Sequence, residues 1–223
     1  MTLYYNKTER TRVRRLAGRG TYDRDAVHAI LDEGLIGHAA FVADGQPYAM
    51  PMLYARAGEQ LYMHGSRLGR LLRGLADGIP MCFTVTLLDG LVLARSAFHH
   101  SVNYRSVLVL GQGRAVRDPD EKNEALRTIV DHVAPGRSKD VRGPSEPELK
   151  ATEVVSLPLI EVSAKVRTGP PVDAAYDYAV PAWAGELPLG LAVGDPCADE
   201  RCSEPLPEYI SSYGRGHAQP DAA

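Results

Sequence analysis

Residues 61–75 read LYMHGSRLGRLLRGL. The first residues suit a strand that ends at His64, and Gly65-Ser66 is a tight turn. Leu68, Leu71, Leu72 and Leu75 then recur at helical spacing. Ser66 is a good N-cap, so the stretch predicts strand, turn and helix in immediate succession. A helix start offers free N–H groups and the positive end of the helix dipole. With the Ser66 hydroxyl and the guanidinium groups of Arg67, Arg70 and Arg73, such a turn suits a phosphate. The alternative is a capped surface helix whose arginines face water.

On the N-terminal side, Thr21 or Asp23 caps a short helix with the stripe Ala26, Val27, Ile30 and Leu31, closed by Gly34. Residues 35–43 and 48–55 read as strands around the hairpin signal Asp44-Gly45. A second turn at 57–59 leads into the strand that ends at His64. On the C-terminal side, Asp77-Gly78 precedes 79–88, IPMCFTVTLL, an apolar, β-rich run suited to a buried central strand. Asp89-Gly90 reads as a further turn, 91–94 as strand, 98–103 as a polar insert and 104–117 as a long strand. Asp118 and Pro119 open a helix to about residue 133 with the stripe Ala125, Leu126, Ile129 and Val130. Residues 134–148 read as a loop with a short helix from Pro147. Residues 153–162 read as a strand that 163–167 continues or pairs beside. Six or seven strands with short connections predict a mainly β fold, an antiparallel barrel with peripheral helices. The expected organisation is a basic arm over 1–20, the barrel over 21–169, and a Pro-rich extension over 170–223 whose part beyond Gly194 is weakly ordered.

A chain of 223 residues with formal net charge −3 has no global pull toward nucleic acid or membrane. The arginines at 10, 12, 14, 15 and 19 suit an arm folded over a partner subunit. Cys82 lies in an apolar run, and Cys197 and Cys202 complete no zinc pattern. No signal peptide or membrane-length apolar run is visible, so a cytoplasmic protein is expected.

The sequence holds no nucleophile elbow, P-loop or GxGxxG. His99-His100 is a conspicuous pair, but adjacent strand residues point to opposite faces and do not easily chelate one metal. His64 stands beside the phosphate turn. Asn103, Tyr104, Arg105 and Ser106 open the long strand with four hydrogen-bonding side chains, two of which stack on flat rings. Trp183, the single tryptophan, packs the extension or covers a ring-shaped ligand, and Lys165 adds a cation near the last strand. A phosphate site, ring-stacking surfaces and little acid–base machinery describe a protein whose cofactor does the chemistry. On these residues alone, flavin mononucleotide, pyridoxal phosphate and a nucleotide are not separated.

Residues 48–54 (YAMPMLY), 61–75, the apolar strand 80–86 and 104–107 (YRSV) form an ordered series. The series resembles the FMN-binding split-barrel proteins of the pyridoxamine 5′-phosphate oxidase-like superfamily, in the branch that includes the nitroimidazole-resistance (Nim-type) reductases. The resemblance covers roughly 10–169 and implies a six-stranded antiparallel split barrel, a homodimer with FMN sites at the interface, and no nucleic-acid or membrane partner. It places Met50, Pro51, Met52, Leu53 and Tyr54 along the isoalloxazine. Ser66, Arg70 and Arg67 hold the phosphate, and Thr86 stands close by. Asn103, Tyr104, Arg105 and Ser106 reach in from the other subunit. His64 lies near the flavin. The oxidase's own substrate-phosphate residues and C-terminal Arg-x-His ending are not found here, which argues against vitamin B6 oxidation. The superfamily also includes binders of haem and of the deazaflavin F420, and the His99-His100 insert keeps haem open. The function implied is an FMN-dependent oxidoreductase passing hydride or electrons to a small planar acceptor, with His64, His99 or His100 as proton donor. A non-catalytic flavin-binding protein or a haem-binding barrel is the alternative.

Overall fold

The computed structural model describes residues 3–214. After the two-residue strand β1 (Gly20–Thr21), helix α1 (Arg24–Glu33) starts where Asp23 Oδ1 accepts the Ala26 N–H at 2.9 Å. It buries Val27, Ile30 and Leu31. The hairpin of β2 (Ile36–Ala43) and β3 (Gln46–Ala57) turns through Asp44 and Gly45. Both have positive φ, 52° and 75°, the pattern of a type I′ turn that matches strand twist. Strand β4 (Gln60–Ser66) returns after Gly58.

Strand β3 is where the barrel splits. Its residues 46–53 pair with β2, whereas 54–57 pair with β4. Beyond β2 the sheet continues through β5 (Pro80–Leu93), β6 (Ser101–Gln112) and β9 (Glu161–Arg167) to β1. Beyond β4 it continues through β8 (Thr152–Pro158) to β7 (Arg114–Ala115). All described pairings are antiparallel, and the fold is a mainly β split barrel. Tyr54, Leu61, Met63, Phe83, Val109 and Leu157 fill its interior. Tyr54 meets Phe83 edge-on at 5.2 Å and donates its hydroxyl to the Leu31 carbonyl at 2.6 Å, tying α1 to the core.

Several local expectations change. Strand β4 does not stop at His64. It pairs with β8 to Ser66, opposite Thr152. Helix α2 (Arg70–Ala76) therefore starts later, with Gly69 and not Ser66 as N-cap. The Ser66 hydroxyl instead accepts the Leu68 N–H at 3.2 Å, and Leu68, expected on the buried stripe, is exposed while Leu72 and Leu75 are buried. Asp89-Gly90 does not turn the chain. The register of β5 against β6 shifts between Leu88 and Gly90, a bulge within one 14-residue strand. The polar insert shrinks to a 3-10 turn at Ala97–His99 before β6 begins. Residues 153–167 divide around Leu159 and Ile160, whose N–H groups bond the Glu59 and Pro158 carbonyls, sending β8 and β9 to opposite arms of the sheet.

Helix α3 (Pro119–Val133) starts on Asp118, which accepts the Glu121 N–H at 2.8 Å. A second, smaller core forms where Ala125 of α3 meets Val116 and Val154, with Tyr62 and Leu126 against them. Helix α4 (Glu146–Ala151) leads directly into β8. In the extension, β10 (Gly185–Pro188) pairs with β5. Helix α5 (Glu208–Ser211) lies within the stretch read as weakly ordered, and Tyr213 beyond it donates to the Val133 carbonyl at 2.7 Å. The N-terminal arm packs on its own barrel. Tyr5 is buried and donates to Glu59 at 2.9 Å, and Arg10 pairs with Glu161. No helix among the described residues is long and apolar enough to cross a membrane.

Candidate functional site

Alternation along β4 sends Leu61 and Met63 into the barrel and Tyr62 and His64 to the side that α3 covers. Two cavities flank the end of this strand and share Thr152. The first, about 560 Å³, lies between His64, the apolar side chains Leu126, Ile129 and Val130 of α3, and Val141 and Pro144 of the following loop. Asn123, Arg127, Ser138, Arg142, Gly143 and Glu148 are also in its lining. The Nδ1 atom of His64 is buried and has no hydrogen-bond partner. Burial also lowers the pKa of the ring, so the imidazole is neutral near pH 7.

The second cavity, about 550 Å³, is cationic. Arg67, Arg117, Lys122 and Lys150 line it with Glu146 and Glu153. Arg117 is committed to the buried Glu153 at 2.9 Å, and Lys122 Nζ donates to the Leu149 and Thr152 carbonyls, both at 2.6 Å. Burial depresses the Lys122 ammonium pKa. The Arg67 backbone N–H bonds the Ala151 carbonyl, which fixes the turn, and the residue is exposed.

Of the residues singled out in the sequence, His64, Ser66 and Arg67 are brought together at this strand end. The Arg70 side chain lies outside the described residues. Along β3, Met50 and Leu53 are exposed and Met52 is half-buried, and residues 46–53, Pro51 included, have only β2 as a strand partner. Tyr54 differs from them in pointing into the barrel core. Thr86, Ser106 and Lys165 form a row across β5, β6 and β9, with the Ser106 hydroxyl donating to the Lys165 carbonyl at 3.3 Å.

Asn103 and Arg105 are engaged within the chain. The Asn103 amide donates to Glu186 of β10 at 2.6 Å and accepts from the buried Arg167. Arg105 spans Glu33 and Asp89 at 2.5 and 2.9 Å, and these bonds hold its guanidinium above even its usual basicity. Tyr104 is half-buried opposite Arg167. His99 stacks edge-on with the exposed Phe98, and His100 Nδ1 bonds the Ser96 carbonyl at 3.0 Å. Neither lines the His64 cavity. Trp183 is exposed, its ring against Gly185.

Sequence reasoning missed the wall opposite His64. Ile129 and Val130 were visible as an apolar stripe, but nothing local shows that the charged segment 134–148 folds back to close a cavity against them.

A family profile described as pyridoxamine 5′-phosphate oxidase matches residues 23–166. The chain is similar to the flavocytochrome Anf3 from Azotobacter vinelandii, with 42% identity over 92% of this chain and 96% of that one, TM-score 0.86. It is also similar to an FAD and haem binding protein from Mycobacterium smegmatis, with 34% identity over 89% and 98% of the two chains, TM-score 0.85. A 5-nitroimidazole antibiotic resistance protein, so described, from Bacteroides thetaiotaomicron is 24% identical over 66% and 86%, TM-score 0.56, a likeness of fold. No curated protein matches.

Proposed function

The chain belongs to the pyridoxamine 5′-phosphate oxidase family, and on that premise we propose that it is a flavin-binding oxidoreductase passing hydride or electrons to a small planar acceptor. The observation that carries this reading is the end of β4, where Ser66 and the cationic Arg67 turn stand two and three residues from His64 beside its cavity. When bound, flavin supplies the redox chemistry, and the chain supplies position and charge. Arg67 and the Ser66 hydroxyl hold phosphate. The edge of β3 over 46–53 that no described strand pairs offers backbone N–H and C=O groups to a polar ring edge. Beyond the turn Arg67 borders a cavity of about 550 Å³, which gives room for a flavin dinucleotide as well as for FMN. The similar proteins described as a flavocytochrome and as an FAD and haem binding protein support both the flavin and a second, haem reading. The His64 cavity favours that second reading.

The protein acts as a homodimer in this reading. Ile36, Val42, Met50, Leu53 and Leu88 are each at least 40% exposed, apolar side chains that a second copy of the chain would cover. A small planar acceptor would reach the flavin beside this face. The cysteines, all free, suit the cytoplasm.

An absorption spectrum of purified protein, taken with FMN or with FAD and repeated after gel filtration, tests the reading. Flavin bands that co-elute with the protein are the expected result, and acid extraction with chromatography names the flavin. Protein that retains neither flavin overturns it.

A further inference from the structure

We propose that the C-terminal extension is a docking surface for the basic N-terminal arm of a second copy of this chain, so that each copy clasps the other. The inference rests on the homodimer of the reading above and assigns part of its interface to residues.

The whole chain carries a formal net charge of only −3, but its ends are charged oppositely. Between 7 and 19 stand Lys7 and the arginines at 10, 12, 14, 15 and 19, with Glu9 the single acid. Between 195 and 208 stand Asp195, Asp199, Glu200, Glu204 and Glu208, with Arg201 the single cation. These five acids are exposed, and none forms an ion pair among the described residues. In the arm, Arg10 is held by Glu161 on its own barrel, but Arg12 and Arg14 share only the exposed Glu9. Arg15 is exposed as well. Within one chain the two segments are anchored apart. The Leu3 carbonyl accepts the Arg24 N–H at the start of α1, whereas Tyr209 and Tyr213 border a cavity with Asp32 and Glu33 at its end. The ten residues of α1 put roughly 15 Å between those anchors.

The extension is fastened on one side and apolar on the other. The buried Asp173 accepts the Arg95 and Ser96 N–H groups, the Arg95 guanidinium lies over the Tyr178 ring at 5.0 Å, and β10 pairs with β5. Yet Val172, Tyr176, Trp183 and Leu191 are each at least 69% exposed. The arm offers apolar side chains in turn, with Leu3, Tyr4 and Leu16 each at least 51% exposed. Leu16 sits at φ 56°, a left-handed conformation that is unfavourable for any residue but glycine, and its side chain is still left outside the core. A surface already fixed to its barrel loses little freedom when a partner docks. Opposite charges across the contact set its register and speed encounter, and like charges are penalised. One exposed ion pair is worth little, so the clasp works through several pairs together with the apolar side chains. An arm given to a second copy and another received from it make an isologous contact, which closes at two chains.

Sedimentation equilibrium of the flavin-supplemented full chain tests the clasp. The expected wild type is a dimer that weakens as salt is raised, since exposed charges are screened over about 10 Å at 0.1 M ionic strength. One variant reverses the arm with Arg12→Glu, Arg14→Glu and Arg15→Glu. A second reverses the tail with Asp195→Lys, Glu200→Lys and Glu204→Lys. Each alone should dimerise at least tenfold more weakly, because like charges then face each other. Mixed in equal amounts, the two should recover a heterodimer of near wild-type affinity, since the reversed arm of one meets the reversed tail of the other. Mixing does not rescue a contact made within one chain. Should a triple reversal fail to fold, the neutral set Arg12→Gln, Arg14→Gln and Arg15→Gln serves in its place, with a smaller loss and a flatter salt dependence. Wild-type affinity in every variant would overturn the clasp and leave the homodimer standing. Weak variants that mixing does not restore would also overturn it. A wild type that retains flavin as a monomer would overturn the homodimer and the clasp together. A wild type that binds duplex DNA through these arginines, while the arm variant dimerises normally, would assign the arm to a nucleic acid instead.

Discussion

The Tyr62 hydroxyl on β4 donates to Glu121 Oε1 on α3 at 3.1 Å. Arg114 on β7 grips the same carboxylate at 2.5 Å. One acid thus pins α3 across two strands of the sheet, and α3 is the wall that closes the His64 cavity. The Arg114 guanidinium, and after it the Tyr62 hydroxyl, hold the Glu121 carboxyl below its ordinary pKa. A carboxyl depressed in the folded state stabilises the fold above its unfolded pKa, and that stabilisation is lost as pH falls through the folded value. Glu121→Gln should therefore be less stable than wild type in urea unfolding at pH 7. The difference should narrow as the pH is lowered to about 3, and a gap constant with pH would contradict the ion-pair account.

Tyr62→Phe separates the hydrogen bond from the ring's packing. The ring stays against the small core of Val116, Ala125 and Val154, and only the donor is removed. A loss of about 0.5–1.5 kcal/mol in unfolding free energy is expected, the usual net worth of one hydrogen bond. A loss of several kcal/mol would mean that α3 detaches when this bond is cut.

Much of the frame could be read from local sequence because local chemistry made it. Asp23 and Asp118 cap their helices as read, and Asp44-Gly45 makes its hairpin. Where reading failed, distant chain decided the outcome. Ser66 looks like a helix cap, but β8, about ninety residues later, recruits it into a ladder. Asp89-Gly90 looks like a turn, but strands on both sides hold β5 straight: β6 pairs beyond the bulge, and β10 passes so close that a Cβ on Gly90 would lie 2.9 Å from the Leu187 carbonyl. The candidate site divides in the same way. His64 and Arg67 were legible from their place beside a turn. The engagement of Arg105 by Glu33 and Asp89, and the wall that 134–148 builds, depend on pairings that no local pattern encodes.

Gly37→Ala probes the barrel interior. A Cβ at this position of β2 would lie 2.2 Å from Phe83 Cζ, and Phe83 is fully buried against Tyr54. Overpacking of this kind costs about 1–3 kcal/mol. Thermal unfolding should show a lower midpoint than wild type, whereas an unchanged midpoint would mean that the Phe83 ring moves freely.

The phosphate assignment separates Arg67 from Ser66. The Ser66 hydroxyl already accepts the Leu68 N–H, so Ser66→Ala should weaken flavin binding only slightly. Arg67→Glu replaces a cation that a phosphate would use with a repelling charge, and it should weaken binding at least tenfold, since charge-assisted hydrogen bonds are worth about 1.5–3 kcal/mol. Flavin fluorescence quenching on titration measures both. Equal, small effects would move the phosphate away from this turn.

The extension should divide at β10. Beyond Gly194 the described residues meet the body through few polar contacts, among them Arg137 to the Tyr209 hydroxyl at 3.0 Å and Tyr213 to the Val133 carbonyl. Removing 195–223 should therefore leave a cooperative unfolding transition close to that of the full chain. Removing 185–223 also takes away Glu186, the partner of the buried Asn103 amide, and strips β5 of its β10 neighbour. A buried donor left unpaired costs about 1–3 kcal/mol. The point variant Glu186→Ala should reproduce part of that loss in the intact chain. Urea unfolding of the three proteins measures the division. A large loss already in the shorter truncation would show that the Tyr209 and Tyr213 contacts, and not β10, fasten the extension to the barrel.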